Sequence, residues 1–242
     1  MQSPIDGRRP RPKPDISPVV RSGGGGARAS DRVYAELASA IRDLRLPPGL
    51  ALSETELADQ LHVSRTPLRE AVARLVDNGL VQVVPQVGTR VALIRLSDVE
   101  EARFVRESLE VAAFEAACAI PDRDLTTLRE LLDRQERACV ADDLDDFFAA
   151  DEAMHEQIFR LSGHPGAWQA VQRMKVQLDR IRRLSLPEPR ALRELIAEHT
   201  LIVAALEAGD VTEGRARISA HARRVQGETP TLMRKHPDYF AD

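Results

Sequence analysis

Apolar residues recur at the three- and four-residue spacing of an α-helix almost without interruption from Leu96 to Gly227. Proline and glycine breaks divide this stretch into six predicted helices, over about 97–119, 122–141, 144–161, 166–184, 191–208 and 210–227. Aromatic residues make up only 4% of the chain, which favours helices over sheets. We therefore predict an all-α antiparallel helical bundle over residues 96–228, followed by a loosely held tail over 229–242.

Residues 30–95 carry a different pattern, with three short helical stretches followed by two runs typical of β-strands. Ser30 and Ser64 are predicted to cap the first and third helices, and Asn78-Gly79 ends the third. A Pro-Gln-Val-Gly turn joins the two strands into a hairpin. Three helices and a small β-hairpin are typical of a winged helix-turn-helix. The predicted fold class is therefore mainly α, with this domain preceding the all-α bundle.

Charge is distributed unevenly along the chain, although the whole carries a formal net charge of −4. Residues 1–29 are rich in proline and glycine with a balance of +4, residues 30–95 are neutral, and the remainder has a balance of −8. We predict that residues 1–29 form a disordered basic arm, which either attracts phosphates or serves as a solubilising tail. The net negative charge of the whole chain therefore does not exclude DNA binding. Such binding must depend on a few arginines at specific positions rather than on overall charge.

Features of a membrane or secreted protein are missing from the sequence. No stretch has the length and apolarity of a membrane span, and no secretory signal opens the chain. Cys118 and Cys139 do not form a disulfide framework. We expect a cytoplasmic protein that has no membrane partner and associates with the nucleoid when it is bound to DNA.

Several polar residues of the predicted helix-turn-helix are placed to contact DNA. Four of them lie off the apolar stripe of the third helix and two lie at the wing tip: Arg65, Thr66, Arg69 and Arg74, then Gly88 and Arg90. Such motifs present the N-terminal end of this helix to base edges, where an arginine can bind guanine or a phosphate. The alternative is that the arginines are ordinary solvated residues paired with Glu70 and Asp77. The complete motif favours DNA.

Four polar residues lie within the apolar stripes of three predicted bundle helices: Asp151, His155, His199 and His221. Asp151 and His155 are four residues apart and therefore share one helix face. A buried carboxylate without a partner is costly, and one divalent cation would satisfy this carboxylate and three imidazoles together. Zinc, nickel, iron and manganese suit such ligands. The alternative is that each histidine is a core residue whose ring is hydrogen-bonded within the protein.

Arg106 is a further charged residue on an apolar stripe, with Ala102, Leu109 and Ala113 as its neighbours on that face. A guanidinium that faces a core requires a carboxylate, which a ligand or the protein supplies. In the first case Arg106 binds an effector. In the second it forms a salt bridge with Glu110 or with an acid on a neighbouring helix.

The segment LPPGLALSETELADQLHVSRTPLREAVARLVDNGLVQVVPQVGTRV, over residues 46–91, resembles the DNA-binding domain of GntR-type bacterial regulators. The resemblance implies that Ser64, Arg65, Thr66, Arg69 and the wing glycine Gly88 contact an operator. Two positions depart from the family pattern. Leu44 stands where glycine is common, and Thr55 stands where some relatives place an arginine on DNA.

The remainder of the chain resembles the FCD effector domain of the FadR-like branch. The matching motifs are RESLE at 106–110, DEAMH at 151–155, LSGHPG at 161–166, EHTLIVAALEAGD at 198–210, and His221. The resemblance implies that Asp151, His155, His199 and His221 bind a metal. It also implies that open metal positions bind the carboxylate of a small organic acid and that Arg106 binds another part of it. The metal-lacking, acyl-CoA-binding relatives do not keep this ligand set, so its presence argues against an acyl-CoA ligand. Met154 and His164 depart from the pattern, where an aromatic residue and asparagine are usual.

These observations predict a one-component transcriptional repressor. A homodimer would bind a pseudo-palindromic operator in double-stranded DNA, and the metal and acid in the bundle would modulate its affinity through the linker near 93–97. Two alternatives stay open. One is a metal-dependent hydrolytic enzyme, and the other is a DNA-binding regulator whose metal is purely structural.

Overall fold

The computed structural model describes residues 16–18, 28–86, 88–185 and 189–241. The chain forms two compact units, Met1–Ala92 and Leu93–Asp242. Most of the predicted basic arm, residues 1–29, lies outside the described residues. Among the described helices, none combines the length and the apolarity that crossing a membrane requires.

The first unit contains three helices and a small antiparallel sheet. Its elements are α1 (Ala29–Arg42), β1 (Ala51–Leu52), α2 (Glu54–Leu61), α3 (Arg65–Asp77), β2 (Val81–Val84) and β3 (Gly88–Val91). The sheet has the strand order β1-β3-β2, with Ala51 opposite Arg90. Fully buried leucines, among them Leu37 and Leu68, form the core between the helices. This arrangement confirms the predicted winged helix-turn-helix.

Two details of the first unit differ from the sequence prediction. The predicted cap at Ser30 is wrong, because α1 begins at Ala29 and Ser30 is buried in its first turn. The Asp31 carboxylate accepts a hydrogen bond from the backbone N–H of Arg28, which places the start of the helix earlier. β1 was not predicted, because a strand of two residues is too short to show an alternating pattern.

The second unit is an all-α bundle, as predicted. Its helices are α4 (Leu96–Cys118), α5 (Thr126–Ala141), α6 (Leu144–Leu161), α7 (Pro165–Met174), α8 (Val176–Ser185), α9 (Pro189–Ala208) and α10 (Val211–Lys235). Buried side chains such as Phe114, Phe159, Trp168 and Ile218 form its largest apolar cluster. The three helices predicted to carry the metal ligands are α6, α9 and α10, and α6 has the predicted bounds.

Differences from the predicted bounds occur at the start of α5 and within the helix predicted over 166–184. α5 begins at Thr126 rather than at 122, because Asp122 adopts a left-handed conformation with φ of 50° that a helix excludes. The helix predicted over 166–184 is divided into α7 and α8 at Lys175. The buried Lys175 ammonium donates hydrogen bonds to Glu152 and to Asp179, four residues further on. Glu152 lies on another helix, so this contact leaves no pattern in the local sequence.

The predicted tail over 229–242 is held more firmly than the sequence suggested. α10 continues past Gly227 to Lys235, and a short 3₁₀ helix (Pro237–Tyr239) follows. Phe240 is only 7% exposed and packs in an apolar cluster with Ile94 and Val225. Backbone hydrogen bonds of 2.9 Å join Ile94 to Tyr239 and Ala241. The end of the chain is therefore bound to the first residues of the bundle.

Candidate DNA interface and metal centre

The N-terminal end of α3 presents the residues that were predicted to contact DNA. Ser64 is the N-cap residue, although its side chain forms no capping hydrogen bond. Ser64, Arg65 and Thr66 are all exposed. Within the part of the chain that the structure describes, the Arg65 guanidinium has no ion-pair or hydrogen-bond partner. This end of α3 therefore offers a free guanidinium to an incoming anion.

The other two arginines of α3 have partners, but not the predicted ones. Arg69 donates to Glu54 of α2 across 2.9 Å, and both side chains are exposed. Such an exposed pair contributes little stability, so Arg69 can exchange this partner for a phosphate. Arg74 donates to Asp31 across 2.7 Å, and its guanidinium lies 4.2 Å from the centre of the Tyr34 ring. Arg74 therefore contacts α1 and lies in the last turn of α3, not at the N-terminal end that was predicted to contact DNA.

The two predicted wing residues play different parts. Gly88 is exposed, and its φ of 109° is one that residues with a side chain rarely adopt. Arg90 lies in β3 and donates a hydrogen bond of 2.9 Å to the Gly49 carbonyl oxygen. Arg90 therefore ties the wing to the loop before β1, while Gly88 forms the turn at its tip.

In the bundle, the structure brings the three predicted histidine ligands together, and Asp151 lies beside one of them, His199. Asp151 and His155 come from α6, His199 from α9 and His221 from α10, and all four side chains are buried. One nitrogen from each imidazole lies within 4.8 Å of the others. Three histidines and one carboxylate are a ligand set that suits a divalent transition metal.

Each imidazole has an oxygen near its Nδ1 atom, and for His199 and His221 this contact is a hydrogen bond. The Nδ1 atom of His199 lies 2.7 Å from Gln135 Oε1, and that of His221 lies 3.0 Å from Glu198 Oε2. The Nδ1 atom of His155 lies 3.3 Å from Glu110 Oε2. These oxygens favour the tautomer with the proton on Nδ1, so the Nε2 lone pairs face the centre of the cluster. Metal-binding histidines commonly have such partners.

The Asp151 carboxylate directs one oxygen to the protein and one to the cluster. Its Oδ2 atom accepts a hydrogen bond of 2.6 Å from Arg182 of α8. Its Oδ1 atom lies 3.4 Å from His199 Nε2, and neither of these buried atoms has a hydrogen-bond partner among the described residues. Unpartnered buried acceptors are costly, and a cation between these two would satisfy both.

The surroundings of His199, His221 and Asp151 keep these three side chains in the protonation states that metal binding requires. Burial lowers the pKa of His199 well below its usual range, and burial together with the charge of Arg106 does the same for the pKa of His221. Burial alone would raise the pKa of Asp151, but the charges of Arg182 and the other basic groups around it together outweigh this effect and hold that pKa well below the usual range. Neutral imidazoles and an ionised carboxylate can bind a metal without first losing a proton.

Arg106 enters the same centre from α4. Its Nε atom donates to Glu110 Oε1 across 2.7 Å, so the salt bridge that the sequence allowed is present. Its Nη2 atom lies 2.9 Å from His155 Nε2 and 3.1 Å from His221 Nε2. The guanidinium therefore contacts two of the three imidazoles through the nitrogens that a metal would use.

A small cavity of about 20 Å³ borders this centre, with room for roughly one water molecule. Arg106, Arg182, Arg224 and His221 contribute to its lining, together with Glu228. Arg224 is engaged by carboxylates of α9 and α10, including Glu228. The predominance of arginines gives the cavity the electrostatic character of a site for a small anion.

Sequence reasoning missed Arg182, Gln135 and Glu198. Arg182 follows the buried Leu178 by four residues, and Gln135 lies between the buried Leu128 and Ala138 on the inner stripe of α5. Both are polar residues on apolar stripes, the same signal that identified the histidines. Glu198 is partly exposed, so its role could be found only from the fold.

Comparisons with known proteins agree with this architecture. The family model of bacterial regulatory proteins of the gntR family matches residues 29–91, and the FCD domain model matches residues 101–224. A helix-turn-helix-type transcriptional regulator in an unstable DNA locus of Streptomyces ambofaciens is 39% identical over 86% of this chain and 88% of its own. The transcriptional repressor RspR of Escherichia coli is 29% identical over 88% of this chain and 94% of its own.

A solved structure, E. coli McbR/YncC, has a similar fold, with a TM-score of 0.72 and 25% identity over 87% of this chain and all of that one. The winged helix-turn-helix and the helical bundle together define a bacterial transcriptional regulator. The chain belongs to the GntR family and carries an FCD domain in its second unit. This confirms the resemblance found in the sequence motifs.

Proposed function

We propose that this regulator is a repressor whose operator affinity is modulated by a small organic acid bound at a metal centre. The observation that carries the proposal is the buried centre, where three imidazole nitrogens cluster and the unpartnered Asp151 Oδ1 lies 3.4 Å from one of them, His199 Nε2. The repressor assignment is supported by the printed name of the E. coli relative RspR.

Asp151, His155, His199 and His221 would hold the metal, and zinc, nickel, iron or manganese would each suit this donor set. A bound divalent ion supplies a Lewis-acidic position that attracts a carboxylate oxygen. Gln135 and Glu198 orient the imidazoles, and Arg182 fixes the Asp151 carboxylate. The protein residues therefore supply both the ligands and the contacts that hold them in place.

The effector is a small molecule with a carboxylate group. Arg106 and Arg182 line the cavity beside the centre, and an arginine binds a carboxylate with two parallel hydrogen bonds. Arg106 would bind the effector, as the sequence predicts. The small volume favours a compact organic acid over a long acyl chain.

The DNA interface consists of the exposed end of α3 and the tip of the wing. Ser64, Arg65, Thr66 and Arg69 would contact bases and phosphates, and Gly88 would let the wing backbone approach the duplex. One such helix reads only a half-site. A homodimer would therefore bind a pseudo-palindromic operator, with its two-fold axis matching that of the DNA.

The C-terminal segment offers a route from the metal centre to the linker. His221 lies on α10, and the chain continues from this helix to Phe240, which packs on Ile94. We infer that a shift of α10 on effector binding is transmitted to residues 93–97. Phe240→Ala should weaken the effector's influence on operator affinity and leave the affinity for zinc unchanged. Equal effector response in the variant and the wild type would refute this route.

A hydrolytic enzyme would need a group that accepts a proton near neutral pH. Burial alone would raise the pKa of both acids at the centre. The charge of Arg182 lowers the pKa of Asp151, and the charge of Arg106 lowers the pKa of Glu110. Both acids at the centre are therefore already ionised and paired with arginines. This pairing supports binding rather than catalysis as the role of the centre.

A gel-shift experiment tests the DNA part of the proposal. The full chain should bind DNA upstream of its own gene, or of adjacent genes, specifically and with an affinity that falls as salt increases. Arg106→Ala should retain this binding and lose the effector response. Specific binding to none of these fragments would contradict the proposed operator, and an effector response retained in Arg106→Ala would contradict the proposed pocket.

A further inference from the structure

The guanidinium of Arg106 stands where it blocks two of the proposed metal ligands. Its Nη2 atom is 2.9 Å from His155 Nε2 and 3.1 Å from His221 Nε2. The two hydrogens of Nη2 can each be accepted by one imidazole lone pair. A neutral imidazole with its proton on Nδ1 has a single lone pair at Nε2, so it cannot serve Arg106 and a metal at once.

We propose that Arg106 is a built-in competitor for the metal centre, which holds His155 and His221 until a divalent ion displaces it. This inference rests on the proposed metal site and adds a regulatory step to it. The two imidazoles that face Arg106 each have its Nη2 atom as a hydrogen-bond donor to their Nε2 lone pair. By contrast, Asp151 Oδ1 and His199 Nε2 face each other without a hydrogen bond among the described residues.

Glu110 allows Arg106 to change its contacts without losing its charge partner. Glu110 lies one helical turn from Arg106 on α4 and accepts a hydrogen bond of 2.7 Å from its Nε atom. This bond does not involve Nη2. The guanidinium can therefore leave the imidazoles while its charge stays neutralised, which keeps the cost of displacement moderate in a buried site.

Displacement of Arg106 would connect the metal to the effector. The cavity that Arg106 lines has room for about one water molecule, so a carboxylate cannot enter while the side chains keep this arrangement. A metal that takes the two imidazoles releases Nη2 as a donor for the acid. Metal and acid should therefore bind with positive coupling, in which each strengthens the binding of the other.

Zinc affinity of the full-length protein tests the competition directly. The dissociation constant would be measured by competition with a chromophoric chelator for the wild type, Arg106→Met and Arg103→Met. Methionine approximates the length of the arginine stem and cannot donate to the imidazoles. Arg103 is the matched control, since it is also buried on α4 but pairs with Glu100 and Glu107 instead of the histidines.

Arg106→Met should bind zinc about tenfold more tightly than the wild type, because zinc no longer has to break two hydrogen bonds of a charged donor. Arg103→Met should stay within about twofold of the wild type. If circular dichroism shows that Arg106→Met does not fold, Arg106→Leu serves the same test, because leucine also cannot donate to the imidazoles. A variant that folds and binds zinc no more tightly than the wild type would overturn the competition. A wild type that binds no zinc would instead overturn the proposed metal site.

Discussion

The two units of this regulator place their functional side chains in opposite environments. The DNA-facing residues of α3 are exposed, and Arg65 has no partner among the described residues. The residues of the proposed metal centre are buried and come from several helices, and Asp151 and His199 are held by Arg182 and Gln135. The difference shows that a surface for a large polyanion can stay solvated until its partner arrives, whereas a small buried site must be built in advance.

Removal of one buried ligand should have the largest effect. His199→Gln removes one of the four ligands, so zinc affinity should fall roughly 100-fold or more. Affinity for the DNA fragment identified by gel shift should change little in the absence of effector. Isothermal titration calorimetry would measure the zinc affinity. His164→Gln is the control, because His164 lies in an exposed turn before α7. An equal loss of zinc affinity in both variants would contradict the assignment of His199 as a ligand.

A change at the exposed interface should affect DNA alone. Arg65→Ala should weaken operator binding by about 10- to 100-fold if this arginine binds a base edge. Arg74→Ala, on the same helix, should weaken it less than threefold because Arg74 is held by Asp31 and Tyr34. Fluorescence anisotropy on the same DNA would measure both. Equal losses for the two arginines would mean that bulk charge, rather than a placed residue, is recognised.

The packing between α4 and α10 sets the position of His221 relative to Arg106. A Cβ atom at Gly214 of α10 would lie 2.0 Å from the ring of Phe114, which is fully buried. Gly214→Ala should lower the free energy of unfolding by about 1–3 kcal/mol because the ring cannot move aside without strain. Gly227→Ala meets no atom within 4 Å and should instead stabilise the helix slightly. Urea unfolding would measure both, and a neutral Gly214→Ala would contradict this close approach.

Loss of an orienting side chain should have a smaller effect than loss of a ligand. Gln135→Leu removes the oxygen beside His199 Nδ1, so zinc affinity should fall about tenfold. Gln226→Leu removes an exposed amide that contacts Glu100 and should leave zinc binding unchanged. Chelator competition would measure both variants. Unchanged affinity in Gln135→Leu would show that the orientation of His199 does not depend on this partner.

The sequence predicted those features that local spacing encodes. Helix α6 has the predicted bounds, and its stripe places Asp151 and His155 in the core as expected. Features that depend on distant partners were missed. Arg182 pairs with Asp151 from another helix, and Phe240 is buried because it meets Ile94. For Arg106, local spacing left the salt bridge and the ligand site equally open, and only the fold reveals its contacts with the imidazoles.

The link between the two units is tested most directly by operator affinity at fixed zinc and salt concentrations. Calorimetry would first identify, from a panel of small organic acids, one that binds the zinc-loaded protein. Fluorescence anisotropy would then give the operator dissociation constant with and without that acid. The account predicts a change of at least about fivefold in the wild type. An unchanged dissociation constant, with the acid bound, would contradict it.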